Sequence, residues 1–513
     1  MRYGLLIAAA LLSACAPVGP DFVRPEPQTN PAWLDAELDQ FVTESPELAD
    51  WWKVLNDPVL DNLIDVAHRQ NNGLQIAGLR VIEAQANLQI ATGNKYPQSQ
   101  AVAGSAMAIG KSNRDSDSAF SDLEFTQHNL GASVSWEMDF WGKFRRGVEA
   151  ADAGLLASVA SYDEVMVLLT ASVADTYVLI RSMEEQLRLA RDSLSIQQRS
   201  YEIVRVLYRN GASSELDALQ ALTLLLGTQA VVPQLETSLQ QAKNALSTLL
   251  GMAPSDMSSL LAGPSVLPDI PPSIAVGIPA DMLRQRPDVR GAELQARAQN
   301  AIVGVATANL YPSFSLSGSL GLTSTSGSST TESPDGGISN LFGSDSLAYS
   351  VGPSFVWPFL NYGRIRNNIR VQDARLQQSL VNFHETVLQA AREAEDAMAA
   401  LEGTQKQDKI LAEGVATAQR SADLSFLRYR EGFADYQRVL NAQQSLFGQQ
   451  QRYATNKGAV ISSFIALYRS LGGGWQTGGP REFIDSETQQ EMKDRSNWGD
   501  LLDNPPQQPR EQP

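Results

Sequence analysis

The feature that most constrains this chain is that it is written twice around long, proline-free tracts with a coiled-coil pattern. The tract Trp136–Gly142 aligns with Trp357–Gly363, Tyr208–Gly211 with Tyr429–Gly432, and Leu250–Gly251 with Leu471–Gly472, each pair 221 positions apart. Tyr96 and Pro97 match Tyr311 and Pro312 at an offset of 215, so the second copy carries six extra residues between these landmarks. A repeat at this spacing means two structural units of one kind. The first spans 55–251 and the second 280–474, joined by a Pro-rich linker over 252–279 that no continuous helix can contain. Between Gly142 and Gly211 one heptad row reads Val159, Met166, Val173, Ile180, Leu187, Leu194, Tyr201 and Tyr208. A second reads Leu155, Tyr162, Leu169, Thr176, Met183, Ala190, Gln197 and Val204. Together they form a coiled-coil seam. In the second copy the first row becomes Leu380, Val387, Ala394, Leu401, Asp408, Val415, Ala422 and Tyr429, broken only by Asp408. The pattern predicts helices over about 143–210 and 364–430. At 1.5 Å per residue each would be roughly 100 Å long and would need partners along its length. Further helices fit 55–95, 212–250, 280–310 and 433–471, with a kink expected at Pro233.

Each copy also predicts a strand pair, at about 96–140 and 311–361. Leu130, Ala132, Val134, Trp136 and Met138 alternate with Gly131, Ser133, Ser135, Glu137 and Asp139. Phe314, Leu316, Gly318, Leu320 and Leu322 alternate with Ser313, Ser315, Ser317, Ser319 and Gly321. Leu347, Tyr349, Val351, Phe355 and Trp357 alternate with small residues, and a partner strand near 98–109 is weakly patterned. One apolar and one Ser/Gly-rich face fit a strand between lipid and a watery lumen, although a soluble two-layer sheet shows the same period. Trp136, Trp141, Trp357 and Tyr362 stand at the strand ends, where an aromatic girdle belongs. The loops at 110–128 and 323–346 are polar and would face outward. Four strands cannot close a transmembrane barrel, whose smallest form has eight. Two copies of the chain would give eight strands and three would give twelve, and the pattern does not choose between them.

The N-terminus reads as an export signal over 1–14, with Arg2 followed by the apolar run Leu5–Leu12. Leu12, Ser13, Ala14 and Cys15 then resemble the lipobox of bacterial lipoproteins, in which the cysteine thiol receives diacylglycerol. Cys15 is the only cysteine, which leaves no internal disulfide. By the same resemblance, alanine rather than aspartate at position 16 favours the outer membrane, and 15–54 becomes a lipid-anchored segment. The acidic, proline-containing tail over 475–513 is expected to be loosely ordered.

A net charge of −17 argues against nucleic acid as a partner. After Cys15 no stretch approaches the ~20 apolar residues of a transmembrane helix, so entry into a membrane requires a closed barrel. The three histidines, at 68, 128 and 384, fall on different elements and read as surface residues rather than ligands. No spacing suggests a metal site or an activated nucleophile, and Gly472–Gly474 is a helix stop rather than a phosphate loop. No catalytic site, metal or cofactor is expected beyond covalent lipid on Cys15.

The segment Cys15–Pro25, with Gly19, Pro20, Asp21, Phe22 and Arg24, the tract Gly277–Val289, with Arg284, Arg286, Pro287 and Asp288, and the tract Leu440–Gln443 resemble the TolC-like outer membrane factor family. They resemble most the NodT-type lipoprotein branch that serves tripartite resistance-nodulation-division efflux pumps. The resemblance covers the chain to about residue 475. It implies a mainly α-helical protein with a small transmembrane β part, assembled as a homotrimer. Three copies would make a twelve-stranded barrel above a hollow α-helical barrel, with a periplasmic adaptor and an inner-membrane pump as partners. It implies adaptor docking at the turns holding Gly211 and Gly432. It also implies a periplasmic gate just beyond them, at Asp217, Gln220, Arg438, Asn441 and Gln444, where Asp217 and Arg438 are equivalent positions of opposite charge. Relatives often carry aspartate where this chain has Asn441, so the carboxylate for an acidic ring is missing there. Two other readings remain: the duct of a type I protein secretion system, and a coiled-coil lipoprotein strut. The scattered methionines favour small amphipathic cargo, such as drugs or solvents, over copper.

Overall fold

The computed structural model describes residues 17–26, 30–34, 41–42, 44, 46–111, 123–263, 266–327, 338–476, 482–504 and 506. Cys15, the export signal and much of both outward loops lie outside the described residues. Two compact units are present: Met1–Pro25 with Glu83–Leu156 and Glu293–Val381, and Glu26–Ile82 with Ala157–Ala292 and Asn382–Pro513.

The elements repeat as the sequence does. Helix α1 (Pro58–Gln70) and α2 (Asn72–Gly93) precede strands β2 (Ser99–Lys111) and β3 (Leu123–Met138), then α3 (Lys143–Arg209) and α4 (Glu215–Leu249). In the second copy α5 (Pro279–Gln285) and α6 (Pro287–Ala308) precede β5 (Ser313–Gly327) and β6 (Leu347–Val356), then α7 (Arg364–Arg430) and α8 (Tyr436–Ser470). The pairs α3/α7 and α4/α8 match in length, at 67 and 35 residues. The helices expected over 55–95 and 280–310 are each broken. Asn71 is extended at the first break, and Arg286, forced extended by Pro287, ends α5 at the second. Pro233 is contained within α4, which continues to Leu249.

Within the second unit the seam residues Val159, Met166, Val173, Ile180 and Leu187 are buried. The break at Asp408 has a polar partner: Asn456, itself buried, donates to its carboxylate at 3.2 Å and to the Thr404 carbonyl at 3.1 Å. The Gly277–Val289 tract is held by buried Arg286, which reaches Asp288 at 2.7 Å, Glu393 at 2.8 Å and the Ser470 carbonyl at 2.6 Å. The linker is tied in by a short parallel pair, β1 (Phe41–Val42) with β4 (Ile274–Ala275).

Three expectations are corrected. The tail is ordered over 482–504: α9 (Ser486–Arg495) follows Phe483 and Ile484, and Ile484, Met492 and Leu502 bury against Ile82. Its scattered apolar residues share one face, which composition alone conceals. His68 is not a surface residue. It contacts Thr170 Oγ1 at 2.8 Å and meets Trp52 edge-on, and burial lowers its pKa. Helices α3 and α4 are each long and apolar enough to cross a membrane by composition. About two thirds of the apolar window in α3 is buried inside the chain, whereas that in α4 is largely uncovered.

Candidate functional site

Strands β2, β3, β5 and β6 form one antiparallel sheet in that order, with 13, 16, 15 and 10 residues. These lengths reach or exceed the ~9–11 residues that cross a bilayer. Residues directly opposite in an antiparallel pair share a face. Leu320 opposes Ala132 and Tyr349, Leu316 opposes Trp136 and Pro353, and Val134 opposes Gly318, which opposes Val351. Leu316, Leu320, Val134, Tyr349 and Val351 are all exposed. The other face carries hydroxyls and glycines: Ser135 and Ser317 bond at 3.2 Å, Ser319 and Ser350 at 2.8 Å, and Gly131 opposes Gly321. Among the described residues both outer strands, β2 and β6, have a free edge.

Of the four aromatics expected at the strand ends, Trp136 lies in the last residues of β3 and Trp357 directly follows β6, while Trp141 and Tyr362 lie in the connections to the long helices. Trp136 donates to the Lys95 carbonyl at 3.2 Å and Trp357 to the Leu310 carbonyl at 3.1 Å, the same bond made once per repeat. Trp141 donates to the Pro312 carbonyl at 2.8 Å and stacks on Tyr311, while Tyr362 is fully exposed.

The N-terminal segment docks beside them, a feature the sequence did not reveal. Val18 N–H donates to the Trp141 carbonyl at 3.0 Å, and Asn300 donates to the Pro20 carbonyl at 2.9 Å. Buried Arg146 reaches the Asp21 carboxylate at 2.6 Å. Gly19, at φ +95°, lies so close to Gly304 that an added Cβ would stand 2.5 Å from its Cα. Pro17 is two residues from Cys15, and two residues span at most ~7 Å.

The tip turns are also repeated. Gly211 N–H bonds to Tyr208 O and Ala212 N–H to Leu207 O; Gly432 N–H bonds to Tyr429 O and Phe433 N–H to Arg428 O. Both glycines have positive φ, +74° and +78°, which makes each a Schellman stop. Nothing lies within 4 Å of an added Cβ at either glycine, so the constraint is backbone conformation alone. Phe433 is 83% exposed at the second tip, where no periodicity marks it.

Four of the five expected gate residues line two grooves, and Asp217 lines neither. Gln220, Asn441 and Gln444 line one of about 440 Å³ between α4 and α8. Arg438 and Asn441 line another of about 1020 Å³ between α7 and α8, together with Arg420 and Arg428. Asp217 and Arg438 do not pair within the chain. Asp217 completes a capping box, accepting from Ser214 N–H and from the Ser213 and Ser214 hydroxyls. Slight burial works against its charge, but these hydrogen bonds hold its pKa below the ordinary value. Arg438 faces Asp435 at 3.7 Å.

Among the described residues no group of three His, Cys, Asp or Glu side chains could hold a metal ion. Residues 63–252 and 278–473 each match the family model described as outer membrane efflux protein. The pyoverdine export outer membrane protein OpmQ of Pseudomonas putida is 32% identical over 434 residues, covering 84% of this chain and 89% of its own. The probable outer membrane lipoprotein SilC of Salmonella typhimurium is 30% identical over 476 residues, covering 91% and 97%. The solved outer-membrane channel OprN superposes with a TM-score of 0.81 at 31% identity, over 90% of this chain and all of its own. This chain belongs to the outer membrane efflux protein family: it is an outer-membrane channel, the exit duct of a tripartite efflux pump, extending into the periplasm.

Proposed function

We propose that three copies of this chain join to make the duct. The observation that carries this is the four-stranded sheet with two free edges, one apolar face and one face of Ser and Gly. Backbone groups at a free edge have no partner in lipid, so the sheet must be closed by other copies. Three sheets give a twelve-stranded barrel with Ser133, Ser135, Ser315 and Ser317 toward water and Val134 and Leu316 toward lipid. The long helices of three copies then continue it as an α-helical barrel. Trp136, Trp141, Trp357 and Tyr362 form its aromatic girdle. Native mass spectrometry in detergent tests the assembly: three chains are expected, and a stable monomer or dimer contradicts it.

The Gly211 and Gly432 turns meet a periplasmic adaptor, loaded in turn by an inner-membrane pump of the resistance-nodulation-division class. Gln220, Asn441 and Gln444, with Asp217 and Arg438 beside them, form the narrow end. The duct performs no chemistry of its own, and its cargo is small and amphipathic. Cys15 carries the acyl chains of a lipoprotein, palmitate among them. The docking of Pro17 against Gly142 and of Val18 on the Trp141 carbonyl supports this, because it holds the segment next to Cys15 beside the aromatic girdle. Intact-mass measurement of the purified protein should show a mature chain starting at Cys15 with added lipid mass. Another N-terminus without lipid contradicts the anchor.

A further inference from the structure

The two connections from strand to long helix share a turn and differ in charge. Gly142 and Gly363 open the helices at φ +77° and +82°. Residues 125–151 hold three carboxylates, Glu137, Asp139 and Glu149, and three cations, Lys143, Arg145 and Arg146. Moved forward by 221, residues 346–372 hold Arg364, Arg366 and Arg370 and no carboxylate. In the first copy each cation is matched: Lys143 reaches Glu137 at 3.0 Å, Arg145 reaches Asp139 at 3.2 Å, and Arg146 reaches Glu149 at 2.7 Å. In the second copy Glu137 becomes Pro358 and Asp139 becomes Leu360, while Lys143 and Arg145 become Arg364 and Arg366. Both guanidinium groups are exposed, and among the described residues neither has an ion-pair partner.

The apolar positions change alongside the charges. Trp136, Met138 and Trp141 are half-buried, and the N-terminal segment docks on Trp141 and Gly142. In the second copy Trp357, Phe359, Leu360 and Tyr362 are all more than half exposed, Tyr362 by 98%. Trp357 continues the apolar face that Tyr349 and Val351 begin on β6. Tyr362 takes a left-handed backbone, φ +50°, which residues with a bulky side chain rarely adopt. Such strain persists where the surroundings or a function hold it.

We propose that the connection from β6 to α7 is a seat for an anionic glycerophospholipid of the periplasmic leaflet. Arg364 and Arg366 take the phosphate, and Trp357, Phe359, Leu360 and Tyr362 meet the glycerol and acyl region. This rests on the membrane barrel proposed above and adds a lipid partner, its place and its charge. The connection lies where the sheet passes into the periplasmic helices, at headgroup level, where aromatic side chains collect. A guanidinium offers a phosphate two parallel hydrogen bonds. A zwitterionic headgroup brings an ammonium as well, and residues 346–372 give it no carboxylate. A lipid of net negative charge is therefore preferred. A free anion would use the arginines but leave the four apolar side chains in water.

The test offers the purified full-length protein in detergent equal amounts of phosphatidylglycerol and phosphatidylethanolamine and reads retained lipid by native mass spectrometry. Phosphatidylglycerol should be retained roughly fivefold more by the wild type. Arg364→Gln with Arg366→Gln should bring the two lipids level while three chains persist. Pro358→Glu with Leu360→Asp should do the same, by restoring the carboxylates of the first copy. That variant should fold, because Leu360→Asp offers Ile365 and Arg366 the acceptor that Asp139 gives the Phe144 and Arg145 N–H groups. Three chains without a lipid preference in the wild type, or a preference that either variant keeps, overturn the seat. Displacement of the lipid by excess inorganic phosphate overturns it in favour of a free anion. Loss of the three-chain mass in the arginine variant means that a neighbouring copy meets these side chains, and overturns it too. A wild type of one chain overturns the barrel itself.

Discussion

Arg146 grips Asp21 at 2.6 Å, joining the start of helix α3 to the segment that leads back to Cys15. The guanidinium is buried, also reaches Glu149 at 2.7 Å, and points at the Val18 and Gly19 carbonyls. Asp21 is itself exposed, so solvent screens the pair, but removing the guanidinium takes the shared donor from Asp21 and from the Val18 and Gly19 carbonyls at once. Arg146→Ala should therefore release residues 17–24, seen as cleavage in that segment by limited proteolysis where the wild type resists. Arg146→Lys should restore only part of the protection, because an ammonium lacks the planar fork. Equal protease resistance in all three proteins would refute the clamp.

Much of this architecture is legible in the sequence. The 221-residue offset and the heptad rows anticipate α3 and α7, and the alternation around Val134 and Leu316 anticipates the two faces of the sheet. What escaped is what depends on distant segments. Arg146 looks like any helix-surface arginine until the backbone of Val18–Asp21 is laid over it. Ile484, Met492 and Leu502 are too sparse to announce a packed tail until α2 offers Ile82. Asp217 and Arg438 invited pairing by sign, but local geometry gives Asp217 to the capping box first.

The sheet faces can be tested by charge. Val134→Arg and Leu316→Arg should reduce trimer yield, reflecting ~2–4 kcal/mol for a cation at mid-bilayer. Ser133→Arg and Ser315→Arg should be milder. Quantitative native gels compare the two sets, and equal losses would mean that the faces are assigned the wrong way.

The tip glycines separate docking from assembly. A left-handed conformation costs a side-chain-bearing residue roughly 1–2 kcal/mol, too little to unfold two long helices. Gly211→Val and Gly432→Val should keep the trimer on native gels while lowering efflux of a fluorescent substrate in cells. Undiminished efflux in both variants would remove the adaptor from these turns.

His68 should make stability depend on pH. Its folded pKa lies below 6.5 because burial disfavours the charged ring. The unfolded chain therefore binds the proton first, and stability is lost as pH falls from about 7 through 6.5 toward the folded value. His68→Gln retains a hydrogen-bonding group for Thr170 without titrating. Thermal unfolding between pH 7 and 5 should fall more steeply for the wild type than for His68→Gln. Parallel profiles would contradict the assignment.

The most direct measurement of the central claim is conductance of the purified full-length protein in a planar bilayer. Stepwise current from inserted channels is the predicted result. A protein that enters the bilayer and passes no current, as a coiled-coil strut would, contradicts it.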